Sequence, residues 1–220
     1  MNGNSHPPFA AERLDMVESQ LRRRGISDQR VLAAMSKVPR HEFVPRQYWP
    51  DAYADHPVPI GEQQTTSQPY IIAAMLQAAE IKPQDRVLEI GAGSGYQTAL
   101  LAELAGRVFA VERYPTLAAN AQSLLERLGY ANATVITGDG SLGLPEYAPF
   151  DVIIVAAAAP RVPPALLEQL APEGRMVIPV GEAQQQVLQL ARKHADGNVT
   201  VSTLEGCRFV PLIGRQGFAA

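Results

Sequence analysis

The chain has 220 residues, of which 46% are hydrophobic and 19% charged, as in an ordinary globular protein of one or two domains. Its formal net charge of −3 at pH 7 provides no general field for nucleic acid or an anionic membrane. Cys207 is the sole cysteine, which excludes an internal disulfide and suits a reducing compartment. We therefore expect a cytoplasmic protein that binds neither nucleic acid nor a membrane.

Targeting and metal-binding signals are absent from the sequence. The N-terminal MNGNSHPPFAAE has no basic region followed by an apolar one, so we expect no signal peptide, and residues 1–10 are predicted to be a polar, flexible tail. No apolar run reaches the roughly 18 residues of a membrane-spanning helix. The four histidines are scattered without HExxH pairing, and we expect no metal site.

Two helices are predicted next along the chain. AERLDMVESQLRRRG places Leu14, Val17 and Leu21 on one helical face, and Gly25 is a natural stop. Its basic residues complement the helix dipole, which explains them better than an RNA-binding patch does. The second helix, in SDQRVLAAMSKV, is expected to be capped by Ser27 and to end before the next proline.

The segment PRHEFVPRQYWPDAYADHPVPIG follows and has no clear period. Disordered linkers are poor in aromatic residues. We therefore predict an ordered loop anchored by Phe43, Tyr48, Trp49 and Tyr53.

The stretch GEQQTTSQPYIIAAM combines side-chain amides and hydroxyls with no positive charge. Its local pattern predicts a helix that Thr66 or Ser67 caps, with Pro69 in the first turn. Ile71 and Met75 then begin the buried face.

From about residue 82, short apolar runs alternate with segments of helical period. Short runs rich in Val and Ile suit buried parallel strands: RVLEI, RVFAVE, ATVIT, FDVIIVAA and GRMVIPVG. The intervening GYQTALLAELA, YPTLAANAQSLLERLG and PPALLEQLAPEG have helical period. This alternation implies right-handed crossovers and a doubly wound α/β sheet. In the tail, the ADGN turn favours an antiparallel hairpin plus one more strand.

A glycine-rich turn follows the first of these strands. VLEIGAGSGYQT places Gly91, Gly93 and Gly95 between strand and helix, where glycines allow a tight turn and close approach to a ligand. A dinucleotide fingerprint needs a small residue at the position of Tyr96. The pattern instead resembles the first motif of S-adenosylmethionine-dependent methyltransferases, in which Glu89 would lie near the cationic methionine moiety.

Two further acidic residues follow neighbouring strands. Glu112 ends RVFAVE, where a carboxylate can accept both ribose hydroxyls of a nucleoside. Asp139 and Gly140 follow ATVIT, where the carboxylate could receive an adenine amino group and the glycine lets the base lie close. Together with the glycine turn they form three sides of one pocket. The expected cofactor is S-adenosylmethionine, with S-adenosylhomocysteine as product.

Several methyl acceptors are excluded by missing residues. Amino-methylating nucleic-acid enzymes carry an Asn/Asp-Pro-Pro-aromatic motif after the fourth strand, where this chain has VAAAAPRVP. Cytosine C5 methylation needs a cysteine nucleophile, and Cys207 lies too late in the chain. No carboxylate cluster suggests the magnesium of catechol-type transfer. Small molecules and protein carboxylates remain.

Segments along nearly the whole chain, from about residue 16 to residue 214, resemble the protein-L-isoaspartate O-methyltransferase family. They are PRHEFVP, GEQQTTSQPYIIAAM, VLEIGAGSGYQTALLA, GDG, APFDVIIVAAAAP, LAPEGRMVIPVG and RFVPLIG. Two positions depart from the family pattern: Thr66 replaces a usual isoleucine, and Ala156 replaces a frequent threonine or glycine. The resemblance implies a seven-stranded, mostly parallel, Rossmann-like methyltransferase sheet with an N-terminal helical extension.

The resemblance also implies residue roles and a reaction. Ser67 corresponds to the active-site serine. The positions that correspond to cofactor contacts are Gln64, Thr65, Thr66, Ser67, Glu89, Gly91, Ala92, Gly93, Gly95, Glu112, Arg113, Asp139 and Gly140. The implied activity is methylation of the free α-carboxyl of L-isoaspartyl residues in damaged proteins, after which the ester cyclises to a succinimide that yields aspartate.

The predicted organisation is one methyltransferase domain at 11–220. N-terminal helices and an active-site loop occupy 11–80, the cofactor-binding core 81–182, and C-terminal strands 183–220. We expect a monomer whose partners are damaged proteins. Since a helix N-terminus binds anions, Ser67 is expected to cap a helix whose open end helps to hold the substrate carboxylate.

Two alternatives stay open at this point. One is methylation of a small carboxylic acid or another oxygen acceptor, and the other is a non-catalytic module that binds S-adenosylmethionine as a sensor or scaffold. The cofactor motifs fit all three readings. Only the segment Thr65–Pro69 favours the repair activity.

Overall fold

The structure, a computed structural model, describes residues 9–182 and 184–219. Of the predicted tail, residues 1–8 therefore lie outside the described part, while Phe9 packs against the aromatic rings of His41, Trp49 and Tyr53. In the described ranges, no helix combines the length and apolarity required to cross a bilayer.

The first predicted helix is built from three kinds of turn. Helix α1, Ala10–Asp15, continues through a π-helical turn at Met16–Leu21 and a 3₁₀ turn at Arg22–Arg24. Gly25 ends it with a φ of 94°, as expected. The prediction that Leu14 belongs to the buried face is wrong, since it is 55% exposed. The wider π turn changes the helical phase, so the other two predicted core positions are buried and Leu14 is not.

Helix α2, Gln29–Lys37, forms where it was predicted, but with a different cap. The Asp28 side chain accepts hydrogen bonds from the N–H groups two and three residues further on. Ser27 is therefore not the cap, and its backbone N–H donates instead to Oε1 of Gln77 at 2.7 Å. The carboxylate satisfies the two free N–H groups of the first turn, which a hydroxyl one residue earlier does not reach.

The proline- and aromatic-rich segment is ordered, as predicted. It contains 3₁₀ turns at Arg40–Phe43 and Arg46–Asp51, and Phe43 and Tyr53 are buried. Tyr48 and Trp49 pack on the same core from a partly exposed position.

A two-stranded antiparallel sheet then connects this segment to helix α3. Its strands are β1, Val58–Gly61, and β2, Gln64–Thr66. Helix α3 spans Pro69–Ala79. Strand β2 therefore carries most of the predicted active-site segment.

The main sheet has seven strands in the order β5-β4-β3-β6-β7-β8-β9. The strands are β3 Arg86–Ile90, β4 Arg107–Glu112, β5 Ala133–Thr137, β6 Phe150–Val155, β7 Leu170–Glu182, β8 Gln185–Lys193 and β9 Val199–Cys207. The connecting helices are α4 Tyr96–Leu104, α5 Pro115–Arg127 and α6 Pro164–Glu168. Strands β3 to β7 pair in parallel, and β8 and β9 add an antiparallel hairpin. The prediction of a seven-stranded, mostly parallel, doubly wound sheet is confirmed.

The C-terminal third differs from the prediction in two details. The predicted helix in PPALLEQLAPEG is short, because β7 already begins at Leu170. No third C-terminal strand follows β9 in the described residues. The backbone beyond Cys207 instead makes isolated bridges from Pro211 to Ala158 and from Ile213 to Phe218.

The chain reverses its direction of winding at β3, since β4 lies on one side of that strand and β6 on the other. In open α/β sheets, ligands bind outside the carboxyl ends of the strands at this switch point. Successive residues of β3 pack into the two hydrophobic cores on opposite faces of the sheet, with Val87 in one and Leu88 in the other. Because both faces of the strands are buried in this way, the polar residues that follow each strand lie at the carboxyl edge.

A buried ion pair fixes the opposite end of the sheet. Nη2 of Arg175 lies 2.5 Å from Oδ2 of Asp85, and both side chains are almost fully buried. Arg175 also donates to the carbonyl oxygens of Ala79 and Glu80 at the end of α3. This cluster joins α3 to the sheet.

Substitution of Asp85→Asn leaves a buried guanidinium without its counter-charge. We expect a loss of about 3–5 kcal/mol in the free energy of unfolding, measured by urea denaturation. The control is Glu18→Gln, which removes the exposed pair of Glu18 with Arg22 and should change the value by less than about 1 kcal/mol. Equal effects of the two substitutions would contradict the assignment of Asp85 as a structural anchor.

Candidate active site

Two adjoining cavities open at the carboxyl edge of the sheet. The first, which we call the glycine-loop cavity, has a volume of about 60 Å³ and is lined by residues that follow β3, β4 and β5. The second, the serine cavity, has a volume of about 720 Å³ and is lined by Ser67 and by residues 205–211. Four residues line both cavities: Thr65, Ala156, Val210 and Pro211.

The glycine loop forms the wall of the first cavity nearest β3. Gly91 and Gly93 line it, with φ of 87° and 54°, and a Cβ on Gly93 would lie 3.0 Å from Cδ1 of Ile60. This backbone conformation and close approach favour glycine. Gly95 is the N-cap residue of α4, where a Cβ would lie 3.2 Å from Cβ of Ala121, so it allows close helix packing.

Glu112, at the end of β4, is fixed by two backbone groups. Its Oε2 accepts from the N–H of Gly93 at 2.8 Å, and its Oε1 accepts from the N–H of Tyr114 at 3.0 Å. It lines the glycine-loop cavity although only 5% of the residue is exposed. Each carboxylate oxygen keeps lone pairs for further donors.

Glu89 is fully buried and lines neither cavity. The Thr98 hydroxyl donates to its Oε2 at 2.5 Å, and the Gln97 amide donates to its Oε1 at 3.1 Å. Burial raises the pKa of Glu89 to about 8, although both hydrogen bonds favour the ionised form. The carboxyl group therefore lies behind the glycine loop, connected to α4.

Asp139 is engaged by the C-terminal segment. Its Oδ2 accepts from the N–H of Arg215 at 2.8 Å, and its Oδ1 accepts from the hydroxyl and the N–H of Ser141. Burial alone would raise the pKa of Asp139, but these hydrogen bonds outweigh it and lower the pKa. Asp139 lines a third, neighbouring cavity, whereas Gly140 lines the glycine-loop cavity.

The serine cavity lies between β2 and the end of β9. Thr65 and Ser67 form one side, and the continuous stretch Glu205–Pro211 forms the other. Arg208 is exposed at this wall, so the cavity is accessible from the surface. Its size is within the roughly 300–1,000 Å³ of small-molecule sites.

The prediction that Thr66 or Ser67 caps α3 is wrong. Gln68 is the N-cap residue and makes no side-chain capping bond, and Pro69 is the first helical residue. Pro69 has no N–H, and the N–H of Tyr70 donates to Oδ1 of Asp55 at 3.0 Å. Asp55 therefore already occupies the N–H of the second helical residue, which the prediction left free for a substrate anion.

Arginines contribute to the site in ways that the sequence interpretation missed. Arg24, which was assigned to the helix dipole, lines the serine cavity, stacks 3.5 Å above the Tyr70 ring and forms an ion pair with Asp55. Arg40 is completely buried and donates to the carbonyl oxygen of Ser67 at 2.8 Å. Neither contact leaves a sequence pattern, because each partner is distant along the chain.

The predicted site residues thus fall into groups. Those that line the glycine-loop cavity are Gln64, Thr65, Gly91, Gly93, Glu112, Arg113 and Gly140. Ser67 and Thr65 line the serine cavity. Those that line neither are Thr66, Glu89, Ala92, Gly95 and Asp139. Across the described ranges there is no group of three His, Cys, Asp or Glu residues that could hold a metal ion.

A glycine loop after β3 and a fixed acidic residue at the end of β4, at the switch point of this sheet, define a Rossmann-like fold that binds a nucleoside-containing cofactor. The model of one family, described as protein-L-isoaspartate(D-aspartate) O-methyltransferase, matches residues 12–217. The chain belongs to this family, as predicted.

Relatives and solved structures agree with this assignment. A protein-L-isoaspartate O-methyltransferase of Koribacter versatilis is 60% identical over 96% of this chain and 95% of its own. That of Protochlamydia amoebophila is 53% identical over 92% and 97%. A solved protein-L-isoaspartate O-methyltransferase has a TM-score of 0.81 at 29% identity, with 93% of this chain and 67% of that one covered.

A solved Plasmodium falciparum protein is similar over nearly its whole length. It is described as a putative protein-L-isoaspartate O-methyltransferase in complex with S-adenosyl-L-homocysteine. Its TM-score is 0.79 at 28% identity, and the match covers 91% of this chain and 98% of that one.

The buried Glu89 should make stability depend on pH. Its pKa is about 8 in the folded protein against an ordinary 4.5, so between these values the folded state holds a proton that the unfolded state has lost. This contribution to stability is complete below pH 4.5 and is lost as the pH rises through 8. The free energy of unfolding should fall by up to about 1.4 kcal/mol per pH unit in that window.

Substitution of Glu89→Gln, which mimics the neutral carboxyl, should flatten this dependence in urea denaturation followed from about pH 5 to pH 9. Glu146→Gln, at an exposed position, is the control and should keep the slope of the unmodified protein. An unchanged slope in Glu89→Gln would show that other groups cause the dependence.

Proposed function

We infer that the protein transfers the methyl group of S-adenosylmethionine to the free α-carboxylate of L-isoaspartyl residues in damaged proteins and peptides. The observation that carries this inference is the common wall of the two cavities, to which Thr65 and Ala156 both contribute. A methyl donor in the glycine-loop cavity and an acceptor in the serine cavity meet at this wall. The ester product cyclises to a succinimide, which hydrolyses in part to aspartate.

The glycine-loop cavity has the chemistry that the cofactor requires. Gly91, Gly93 and Gly140 let the backbone approach a nucleoside closely. Glu112 has both oxygens oriented by backbone N–H groups and accepts the ribose hydroxyls with its remaining lone pairs. When bound, S-adenosylmethionine supplies an electrophilic methyl group on a sulfonium.

The glycine-loop cavity is smaller than a typical site for a molecule of the size of S-adenosylmethionine. Small-molecule sites have volumes of roughly 300–1,000 Å³, and the glycine-loop cavity has about 60 Å³. Val210–Ile213, which follow the sheet, form one wall of this cavity.

The acceptor needs orientation and no general base. An α-carboxyl has a pKa of about 3.3–3.7 and is ionised at neutral pH. Consistent with this, no described histidine lines either cavity. Ser67 and Thr65 provide hydroxyl donors that orient one carboxylate oxygen toward the common wall, and exclusion of water completes the arrangement.

Uncharged donors suit this reaction better than an ion pair. A guanidinium or ammonium directly on the carboxylate would lower its nucleophilicity, whereas hydroxyl groups hold it less strongly. Arg24 also lines the serine cavity, but its charge is already paired with Asp55.

The size of the serine cavity favours a peptide over a small carboxylic acid. At about 720 Å³ it exceeds the needs of one small acid, and a seven-residue stretch of backbone, Glu205–Pro211, forms one side. A non-catalytic sensor would not need this second cavity. We propose further that the protein acts as a monomer in the cytoplasm, a setting that suits its single cysteine.

Transfer of labelled methyl from S-adenosylmethionine to a synthetic peptide tests the activity directly. The protein should label a peptide that contains L-isoaspartate at least about a hundredfold faster than the same peptide with normal aspartate, because only the first presents a free α-carboxylate at the modified residue. Label in neither peptide, or equal label in both, would overturn the repair function. Preferred labelling of a small carboxylic acid would favour the alternative.

Two substitutions should separate acceptor from cofactor functions. Ser67→Ala should lower kcat about 10- to 100-fold with little change in cofactor affinity, because it removes one hydrogen bond to a charged group. Glu112→Gln should raise the cofactor dissociation constant by a similar factor in calorimetry.

The matched controls are Ser123→Ala and Glu168→Gln, both at exposed positions outside the cavities, and neither should change kcat or affinity. A large loss of cofactor binding in Ser67→Ala would instead assign Ser67 to the cofactor cavity or to folding.

A further inference from the structure

Arg40 is a buried cation directly beneath the active-site segment. The residue is 0% exposed and begins the 3₁₀ turn Arg40–Phe43. Its Nη2 donates to the carbonyl oxygen of Ser67 at 2.8 Å, and its Nε donates to the carbonyl oxygen of Ala52 at 2.7 Å. Its Nη1 lies 3.4 Å from Oγ1 of Thr66. One guanidinium therefore connects β2 to the loop before it.

This cation has no carboxylate partner among the ion pairs of the described residues. Its face contacts an aromatic ring instead, with Cζ 4.7 Å from the centroid of Tyr96. The nearby Asp55 is already paired with Arg24 and bound to the N–H of Tyr70. Burial lowers the pKa of Arg40, but an arginine stays charged at neutral pH.

Among the described residues one other arginine, Arg175, is deeply buried, and its charge is paired with a carboxylate. Arg175 is paired with Asp85 at 2.5 Å, far from the cavities. An unpaired buried charge is costly, and an apolar residue of similar size would avoid that cost. Arg40 therefore suits a site that receives a negative charge from outside the chain.

We propose that Arg40 is a positioning residue for the acceptor site, which holds Ser67 in place through its carbonyl oxygen and directs an uncompensated positive charge toward the carboxylate that Ser67 receives. This inference rests on the proposed function, because that function supplies the anion. Arg40 does not line the serine cavity, so it does not contact the substrate. Its two effects on the reaction are separable.

The geometric effect acts on turnover. With its carbonyl fixed, the Ser67 peptide unit cannot rotate away from the cavity, and small misplacements of an orienting group are costly for the rate. The electrostatic effect acts on binding. Methyl transfer from a sulfonium to a carboxylate removes both charges, so a positive field stabilises the bound carboxylate more than it stabilises the transition state. Loss of the charge should therefore raise KM.

Arg40→Lys and Arg40→Gln distinguish these effects in methylation of an L-isoaspartyl peptide at saturating S-adenosylmethionine. The lysine keeps the charge but cannot bind three acceptors in one plane, so kcat should fall about tenfold with KM changed by less than about threefold. The glutamine also loses the charge, so KM should rise about tenfold in addition. Cofactor affinity, measured by calorimetry, should change less than about threefold in both.

The matched control is Arg175→Lys, which alters the other buried arginine. It should lower the melting temperature while kcat and KM of the folded enzyme stay unchanged. The same result for Arg40→Lys would overturn the proposal, because Arg40 would then have only a role in folding. A parallel loss of cofactor affinity in both Arg40 variants would also overturn it.

A second measurement tests the effect of the Arg40 charge on peptide binding, without methyl transfer. The same peptide with a carboxamide in place of the α-carboxylate cannot accept a methyl group and serves as a neutral competitor. The unmodified protein and Arg40→Lys should prefer the carboxylate peptide by the same factor, and Arg40→Gln should lose about tenfold of that preference. If Arg40→Gln does not fold, unchanged kcat in Arg40→Lys still refutes the proposal, and a lowered kcat at constant KM supports it. Absence of methylation by the unmodified protein would instead refute the proposed function.

Discussion

The parallel pairing of β3 with β4 on one side and with β6 on the other is the constraint on which the site depends. The last hydrogen bonds of these ladders run from the N–H of Gly91 to the oxygen of Val111 and from the N–H of Ala156 to the oxygen of Ile90, each at 2.8 Å. They hold the glycine loop against Ala156, so that a Cβ on Gly91 would lie 3.7 Å from the Ala156 backbone. The position of Ala156 in the common wall of the two cavities is therefore a direct consequence of sheet register.

The charged groups around the common wall lie at different depths from the two cavities. Glu112 lines the glycine-loop cavity, and backbone N–H groups fix its oxygens. Glu89 lies behind the glycine loop, where burial favours the neutral form of its carboxyl group. Arg40 lies beneath the serine cavity, and none of the ion pairs among the described residues includes it. In the proposed function, the cofactor ribose therefore meets a fixed carboxylate, and the substrate carboxylate lies in the field of a buried cation that it does not contact.

The sequence predicted what depends on local pattern. Runs such as RVLEI and FDVIIVAA identify buried strands, and alternation with helices determines how they wind, so the sheet and its switch point could be predicted. The glycine loop and Glu112 follow from their positions after strands. Contacts between distant segments could not be predicted: Asp55 binds the start of α3, and Arg40 binds Ser67, across 15 and 27 positions. The phase error at Leu14 has a different cause, a π turn without a sequence signature.

The two departures from the family pattern have different consequences once their positions are known. Thr66, which replaces a usual isoleucine, is 8% exposed and turns toward Nη1 of Arg40, so it lines neither cavity. The Thr66 hydroxyl accepts a long hydrogen bond from the buried guanidinium, and Thr66 does not contribute to the lining of the serine cavity. Ala156 lines both cavities, at the wall where donor and acceptor meet. A methyl side chain there occupies less space than the threonine of the family pattern and more than the glycine, so of the two departures only Ala156 changes the shape of the cavities.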